Sequence, residues 1–233
     1  LAVYDATRSM LWPGDAAVAV AVVHMAKGRV QRAMKSALLD GVSVASINSR
    51  LRPALERPDP VSLGANDGWS YQGAVLAGSG FILSPEERDA LVSAEPRNAA
   101  CIKPLCGGRE ANSLAPEGFD RYAIDFGEMS LDEAGSWPDL LNILRRTVKP
   151  ERDKARRDAH RKYWWHYGDK RPALRAALSG KAVCLVNSAV SKHLIYSFQP
   201  TGRVFTHSLY VYPHESAWFF GAVQSRVHEV WAR

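Results

Sequence analysis

The sequence predicts a mixed α/β protein, and two kinds of pattern support that prediction. Runs of β-branched and aromatic residues recur at strand length, and between them lie segments that begin with helix-capping residues and end at proline. The chain has 233 residues, of which 46% are apolar and 23% charged, so it can bury the core of one or two domains. This composition excludes a mainly disordered protein.

The first predicted strands lie near the start of the chain. MLWPGDAAVAVAVVHMAKG, from Met10, joins a Pro-Gly turn to an unbroken run of alanine and β-branched residues, which predicts a strand buried on both faces. GVSVASINSRL, from Gly41, alternates apolar and small polar residues and is predicted to pair beside that strand. Residues 53–80, rich in Pro, Gly and Ser, predict a linker and a domain boundary.

Two capping signals predict helices in the middle of the chain. Ser84 and Glu87 have capping-box spacing, and Pro96 ends the helix that they open. Ser130 and Glu133 repeat the signal and open a second helix over SLDEAGSWPDLLNILRRTVKP. The buried face of that helix is predicted to consist of Leu140, Leu141, Leu144 and Val148.

The remaining strands and the last helix follow from shorter patterns. AACIKPLCGGREAN and FDRYAIDFGEMS predict two strands between the capped helices, and KAVCLVNSAV, HLIYSFQ and HSLYVYP predict three more. SAWFFGAVQSRVHEVWAR predicts one amphipathic carboxy-terminal helix. Its inward residues are expected to be Phe220, Val223, Val227 and Trp231.

Positive charge is concentrated in one segment. Residues 149–175 hold ten Lys or Arg against four acids, and their excess of six equals that of the whole chain, whose pI is about 9.3. A localised basic patch predicts a polyanionic partner. The alternative is a solvated helix in which Glu151, Asp153 and Asp158 offset part of the charge.

Other classes of protein lack support in the sequence. The longest apolar run, Ala16–Val23, has eight residues, far fewer than the roughly 20 that span a bilayer, so no membrane partner is expected. LAVYDATRSM at the start carries no initiator Met, basic leader or secretory segment, which indicates an excised piece. The three cysteines and seven histidines show no metal-ligand spacing, and a reducing cytoplasm fits best.

No catalytic motif is found in the sequence. It contains no GxGxxG, GxxxxGK[ST] or GxSxG, and the carboxylates Asp125 and Glu128 favour a structural role. What remains is binding chemistry: cations for phosphates, Arg, Lys, His and Asn for base edges, and aromatic rings for stacking. These residue types converge on residues 161–175, which include the aromatic run RKYWWHYGDKRPALRAAL, and on residues 187–203.

Seven segments in order resemble one protein family. They are MLWPGDAAVAVAVVHMAKG, IKPLCGGREAN, RYAIDFGEMSLDEA, WPDLLNILRRTVKPERDKARR, KYWWHYGDKRPALRAAL, AVSKHLIYSFQP and FGAVQSRVHEVWA. The chain resembles the carboxy-terminal part of large bacterial adenine-specific DNA methyltransferases, the MmeI-like single-chain restriction-modification enzymes. The resemblance implies the last strands of a methyltransferase sheet over residues 1–52, a linker over 53–80 and a target recognition domain over 81–233.

The resemblance also implies what the chain contributes. The family's glycine-containing loop for S-adenosylmethionine and its Asn-Pro-Pro-Tyr-type motif are absent from the sequence, so we expect no catalytic residue and no cofactor in this chain, and S-adenosylmethionine in the parent enzyme. The expected partners are double-stranded DNA and the remainder of the methyltransferase polypeptide. The alternative is a non-catalytic basic domain that binds nucleic acid or protein.

Candidate DNA-binding residues come mainly from residues 161–175 and 187–203. Ser191, Lys192 and His193 are expected to reach base edges, with a polar turn as the alternative. For Trp164 and Trp165 the alternative is that at least one packs into the core. The full set is Arg109, Arg161, Lys162, Trp164, Trp165, Lys170, Arg171, Ser191, Lys192, His193 and Arg203.

Overall fold

A computed structural model of the chain describes residues 1–16, 18–28, 35–59, 61–113 and 118–232. The chain divides into two compact units, Leu1–Ser62 and Leu63–Arg233. This division falls inside the segment 53–80, which is rich in Pro, Gly and Ser. The assignment of residues 1–52 to the end of a methyltransferase domain stays a prediction.

The first unit contains a four-stranded sheet in the order β2-β1-β3-β4. Its strands are β1 (Ala2–Leu11), β2 (Ala19–Ala26), β3 (Ala37–Leu39) and β4 (Val42–Val44). β1 pairs with β2 in antiparallel and with β3 in parallel orientation. Asp40 and Gly41, with φ of 51° and 79°, join β3 to β4, and an Asp-Gly pair suits a two-residue turn with positive φ at both positions.

Two predictions for this unit are wrong. The strand from the alanine and β-branched run is present, but it is the edge strand β2, and most of its residues are exposed or half-buried. GVSVASINSRL does not pair with β2, because the tight turn at Asp40 and Gly41 pairs β4 with β3 instead. β1, the central partner of both β2 and β3, lies in a segment with no predicted strand.

The second unit contains two further four-stranded sheets and confirms the mixed α/β class. Its strands are β5 (Tyr71–Gln72), β6 (Ile82–Leu83), β7 (Ile102–Cys106), β8 (Tyr122–Ile124), β9 (Val183–Ser188), β10 (Tyr196–Pro200), β11 (Val204–Phe205) and β12 (Leu209–Tyr212). One sheet has the order β10-β9-β12-β5 with all pairs antiparallel. The other has the order β11-β7-β8-β6 with only β11 and β7 parallel. All five strands predicted for this unit are confirmed.

Short α-helices connect and flank these sheets. They are α1 (Pro85–Ala94), α2 (Gly108–Ser113), α3 (Leu131–Ala134), α4 (Pro138–Thr147), α5 (Lys149–Asp153), α6 (Asp158–Lys162), α7 (Pro172–Leu178), α8 (Ala217–Val223) and α9 (Arg226–Ala232). Short 3-10 helices lie at Gly64–Asn66, Ser79–Phe81 and Pro96–Cys101. None of the helices in the described ranges has the length and apolar character needed to cross a bilayer.

Both capping boxes are confirmed. Ser84 N–H donates to the Glu87 carboxylate at 2.8 Å, and Glu87 N–H donates back to Ser84 Oγ at 3.2 Å. Ser130 and Glu133 make the same reciprocal pair at 2.7 and 3.2 Å. Each box satisfies two backbone N–H groups at a helix start that have no partner within the helix.

Three predicted helices are each divided in two. The second capping box opens the short α3, and Pro138 starts α4 as a new helix because proline is favoured at a first helical position. The basic segment forms α5 and α6 separately. At the carboxy terminus α8 and α9 are also separate, and the inward placement of Val227 and Trp231 is wrong, since both side chains are 82% exposed.

The largest core cluster joins α4 to the aromatic run of the basic segment. Leu140, Leu141, Leu144 and Val148 are all buried in it, as predicted. Trp164, Trp165 and Tyr167 lie in the same cluster with 6%, 7% and 6% exposure. The Trp165 indole N–H donates to Met129 O at 2.9 Å, and the Tyr167 hydroxyl donates to Ile124 O at 2.9 Å. The polar ends of these two rings are therefore satisfied inside the core.

Arg152 is buried and has a structural role. Its Nη2 donates to Leu76 O at 2.9 Å and to His166 O at 3.2 Å, and its guanidinium lies 5.9 Å from the centre of the Phe81 ring. Burial lowers the pKa of Arg152. Because α5 points this side chain inward, Arg152 does not contribute to the exposed positive charge of the basic segment.

Arg152→Ala is expected to lower the free energy of unfolding by about 2 kcal/mol or more, since two buried carbonyls lose their donor and the Phe81 ring loses a packing partner. Lys154→Ala, two residues away and exposed, should change it by less than about 0.5 kcal/mol. Urea unfolding followed by tryptophan fluorescence measures both. Equal losses for the two variants would contradict a structural role for Arg152.

Candidate nucleic-acid interface

The structure sorts the predicted DNA-binding residues into three groups. Trp164 and Trp165 lie in the core. Lys170, Arg171 and Arg203 line one pocket. The rest lie on the surface outside that pocket: Arg109, Arg161, Lys162, Ser191, Lys192 and His193.

The two tryptophans are not an exposed stacking surface, which corrects their inclusion among the DNA-facing residues. Their rings meet edge to face at 6.0 Å between centroids, and little of either ring reaches solvent. Stacking on a base needs an open ring face. In the same run that open ring belongs to Tyr163, which is 44% exposed and stacks on His166 at 6.1 Å.

The pocket that contains three of the predicted residues is strongly basic, and we call it the basic pocket. It has a volume of about 360 Å³. Its cationic lining comes from separate parts of the second unit: Lys103, Lys170, Arg171, Arg175, Lys181 and Arg203. Asp125 is the acid in the lining, and Leu174, Leu178 and Phe205 supply an apolar surface.

Hydrogen bonds fix one wall of the basic pocket. Arg175 makes a bidentate pair with Asp125, with both N–O distances at 2.9 Å. Arg171 donates to Gln72 Oε1 at 2.9 Å and to Gly73 O at 3.3 Å, and Lys170 pairs with Glu128. Arg171 holds a left-handed backbone conformation with φ of 52°, and its N–H donates to Asp169 Oδ1 at 3.1 Å. These cations are therefore held in defined positions.

The lining of the pocket also contains two lysines without an acidic partner among the described residues. Lys103 on β7 and Lys181 before β9 are half-buried, and neither forms an ion pair with an acid in the described part of the chain. Together with Arg175 they are the pocket cations that sequence reasoning missed. Lys103 lies inside an apolar strand pattern and Lys181 lies outside the basic run, so neither was singled out by local charge.

Arg203 joins the pocket to a neighbouring aromatic residue. Its guanidinium lies 4.6 Å from the centre of the Phe119 ring, and its Nη1 donates to Gln199 Oε1 at 2.5 Å. A cation at this distance from a ring face is attracted to it, and the contact orients the side chain.

Arg109 belongs to a network around a buried carboxylate outside the pocket. Glu110 is 3% exposed and accepts from Gly107 N–H at 2.8 Å and from Arg121 Nη2 at 2.7 Å. Arg109 pairs with both Glu110 and Asp120. Burial alone would raise the pKa of Glu110, but the hydrogen bonds from Gly107 and Arg121 outweigh it and hold that pKa below its ordinary value.

The other surface candidates differ in their surroundings. Ser191, Lys192 and His193 are exposed in the loop that joins β9 to β10, where His193 N–H donates to Ser191 Oγ at 3.2 Å. Arg161 pairs with Asp158, and the Lys162 ammonium lies 5.3 Å from the centre of the Tyr163 ring. This exposure is compatible with base reading and with a polar turn, so the role of the loop stays a prediction.

Comparison with known proteins gives the family. The family model described as "MmeI, target recognition domain" matches residues 71–233. The chain belongs to the MmeI target recognition domain family. A solved structure of the type IIL restriction-modification enzyme MmeI in complex with DNA is similar to the whole chain, with a TM-score of 0.66 and 14% sequence identity. A comparison with curated proteins gave no match.

The family match does not start at residue 81, the predicted start of the target recognition domain. The family match begins at residue 71, where β5 joins the sheet of β12, and Ala74 and Leu76 are buried in the main core cluster. The chain covers 32% of the length of the MmeI chain that it resembles.

The Glu110 network predicts a pH dependence of stability. Because the folded-state pKa lies below the ordinary value of 4.5, the carboxylate stabilises the fold above that pH, and the contribution disappears as pH falls through the lower folded pKa. Glu110→Gln is expected to be less stable than the wild type by about 1–3 kcal/mol at pH 7, with the gap closing in acid.

Urea unfolding from pH 7 to pH 3 measures this gap. Asp67→Asn, at an exposed loop carboxylate, is the control and should follow the wild type at every pH. A gap for Glu110→Gln that stays constant down to pH 3 would show that the charge of Glu110 is not what stabilises the network.

Proposed function

We propose that this chain is the DNA sequence-reading module of an adenine-specific, S-adenosylmethionine-dependent methyltransferase of the restriction-modification type. The observation that carries the proposal is the match to the MmeI target recognition domain over residues 71–233, the region that also contains the whole basic pocket. The similar MmeI structure is itself a complex with DNA. Double-stranded DNA and the remainder of the polypeptide are the proposed partners.

Sequence-independent affinity is assigned to exposed cations of the basic segment. Arg152 is buried and Arg175 is paired with Asp125, so both are used inside the domain. The exposed cations of α5, α6 and their connection remain available for phosphates: Lys154, Arg156, Arg157, Arg161 and Lys162. Phosphate contacts set the position of a protein on a duplex, and they weaken as salt increases.

Base reading is assigned to the loop between β9 and β10. Lys192 and His193 are exposed there, and both can donate to the O6 or N7 of guanine in a major groove. The loop is held at its base by the antiparallel pair Tyr196–Asn187, so its polar residues project from a rigid sheet. A rigid support gives base contacts the positional accuracy that discrimination needs.

Lys192→Ala or His193→Ala is expected to cost about 1–3 kcal/mol at one base position of the preferred site and little on random DNA. Selection of binding sites from random duplexes by each variant of the intact protein measures this. Lys162→Ala is the contrast: it should weaken binding to all duplexes alike, reduce the salt slope by about one unit and leave base preferences unchanged. Identical base preferences for wild type, Lys192→Ala and His193→Ala would move base reading elsewhere.

Methyl transfer is proposed for the intact protein, with S-adenosylmethionine as its cofactor. An adenine methyltransferase must extrude its target base and hold both base and cofactor, and the sequence of this chain has neither of the motifs that do so. We therefore expect the intact protein to transfer labelled methyl groups to adenine in duplexes that contain the preferred site. The chain alone should give no heat of binding with the cofactor in calorimetry, and micromolar binding would place the cofactor site within it.

A reducing, cytoplasmic location is part of the same proposal. The cysteines Cys101, Cys106 and Cys184 are free and buried, and burial raises the pKa of Cys106 to about 11 and that of Cys184 to about 12. These thiols stay protonated at neutral pH and pack as small apolar side chains.

A further inference from the structure

We propose that the basic pocket is a socket for one phosphodiester of a DNA strand, bound by Lys103 and Lys181 together with Arg203. The inference deepens the proposed function and rests on it. It assigns a binding role to Lys103 and Lys181, and it gives the pocket a task separate from base reading in the loop between β9 and β10.

The charge balance of the pocket favours an anion from outside. Among the described residues, six cationic side chains and one carboxylate line it, and Arg175 already engages that carboxylate, Asp125, through both oxygens. Lys170 and Arg171 have acidic partners in Glu128 and Asp169. Lys103 and Lys181 have no such partner in the described ranges. A phosphate that enters the pocket would supply a counter-charge for both ammonium groups through charge-assisted hydrogen bonds.

The rim of the pocket is open at two glycines. A Cβ placed on Gly180 or on Gly202 would meet no protein atom within 4 Å. Gly180 follows the end of α7 and has a left-handed backbone conformation with φ of 74°, which is common for glycine at that position. Gly202 does not have a left-handed conformation, so a side chain at this position would not strain the backbone. A strand can therefore pass over the rim on the side of these glycines, which a closed anion site would not allow.

The size and lining of the pocket fit more than an isolated ion. A volume of about 360 Å³ lies in the range of pockets that bind organic ligands, and Leu174, Leu178 and Phe205 give it an apolar surface. A backbone unit of DNA offers both matching parts, a charged phosphate for the lysines and a deoxyribose for the apolar surface. This match favours a backbone phosphodiester over free inorganic phosphate.

A shared phosphate makes a specific prediction for salt dependence. Each phosphate neutralised on a duplex contributes about 0.9 to the slope of log affinity against log salt. Lys103→Gln and Lys181→Gln should each weaken binding on the order of tenfold and reduce the slope by up to about one unit. The double variant should still reduce it by about one unit, because both lysines serve one phosphate.

The measurement is duplex binding by the intact protein across a series of salt concentrations. Lys149→Gln, whose charge is already paired with Asp153 at 2.7 Å, is the matched control and should keep the wild-type slope. A reduction of about two units in the double variant would show two separate phosphates and overturn the socket. An unchanged slope in all three pocket variants would overturn any phosphate role for these lysines.

The phosphate itself can be located by chemistry on the DNA. A neutral methylphosphonate placed at successive positions of the preferred duplex should weaken wild-type binding most at one position through the pocket, and the Lys103→Gln/Lys181→Gln double variant should be insensitive at that position alone. Equal sensitivity of wild type and double variant at every position would contradict the inference.

Gly202→Asp tests the pocket without removing any of its cations. The new side chain enters open space, so the unfolding free energy should stay close to that of the wild type, while the added charge at the rim should weaken duplex binding on the order of tenfold. Gly221→Asp, also in open space but outside the pocket, is the control. Equal duplex affinities for the two variants and the wild type would overturn the inference.

Two further outcomes separate this inference from the function on which it rests. If the wild type shows no preferred duplex site in selection, the proposed function fails and the socket fails with it. If the wild type binds its site, the pocket variants bind equally well, and inorganic phosphate still shifts Lys103 and Lys181 signals in NMR spectra, the pocket takes a free anion and the DNA socket is wrong.

Discussion

The rest of the recognition domain depends on the hydrogen bonds that join the aromatic run to the end of β8 and to the segment that follows it. Trp165 donates to the carbonyl of Met129, and Tyr167 donates to the carbonyl of Ile124. Between these two acceptors, Asp125 accepts two hydrogen bonds from Arg175. Burial raises the pKa of Tyr167 well above its ordinary value, so its hydroxyl keeps the proton that it donates. These contacts attach the basic segment to the sheet, and the attached side chains form one wall of the basic pocket.

This attachment changes the meaning of the charge run. A continuous basic helix would present its cations as one face, whereas the observed chain breaks into α5 and α6, buries Arg152 against backbone carbonyls and pairs Arg175 inside the domain. The positive surface that remains is assembled from residues far apart in sequence, such as Lys103 and Arg203. The two adjacent tryptophans lie beside this charge because their large rings fill the main core cluster, where the basic segment packs against the sheet.

Local signals in the sequence predicted the elements whose cause is local. The capping boxes at Ser84 and Ser130 and the buried face of α4 follow from spacing alone, and they are present as predicted. Other features depend on which distant segments pack against each other, and the spacing of residues along the chain does not reveal this. These features are the breaks between paired short helices, the exposure of Trp231 and the strand order of the first unit. For the candidate site, the charge run identified Lys170 and Arg171, and the convergence of DNA-binding residue types on residues 187–203 added Arg203. Lys103 was missed because a single lysine within an apolar strand pattern does not indicate a binding site.

The β9–β10 hairpin places the two proposed DNA contacts at its opposite ends. Lys181 lies just before β9 and Arg203 just after β10, with Thr201 N–H donating to Ala182 O at 3.1 Å across that end, while Lys192 and His193 occupy the loop at the other. At about 3.3 Å per residue, a strand of this length separates the ends by roughly 20 Å. With base pairs spaced at about 3.4 Å, that distance corresponds to roughly six steps along a duplex. A phosphate held in the pocket would therefore fix the position of the hairpin on the DNA well away from the base under its loop, so changes in the loop could alter which base is read without loosening the anchor.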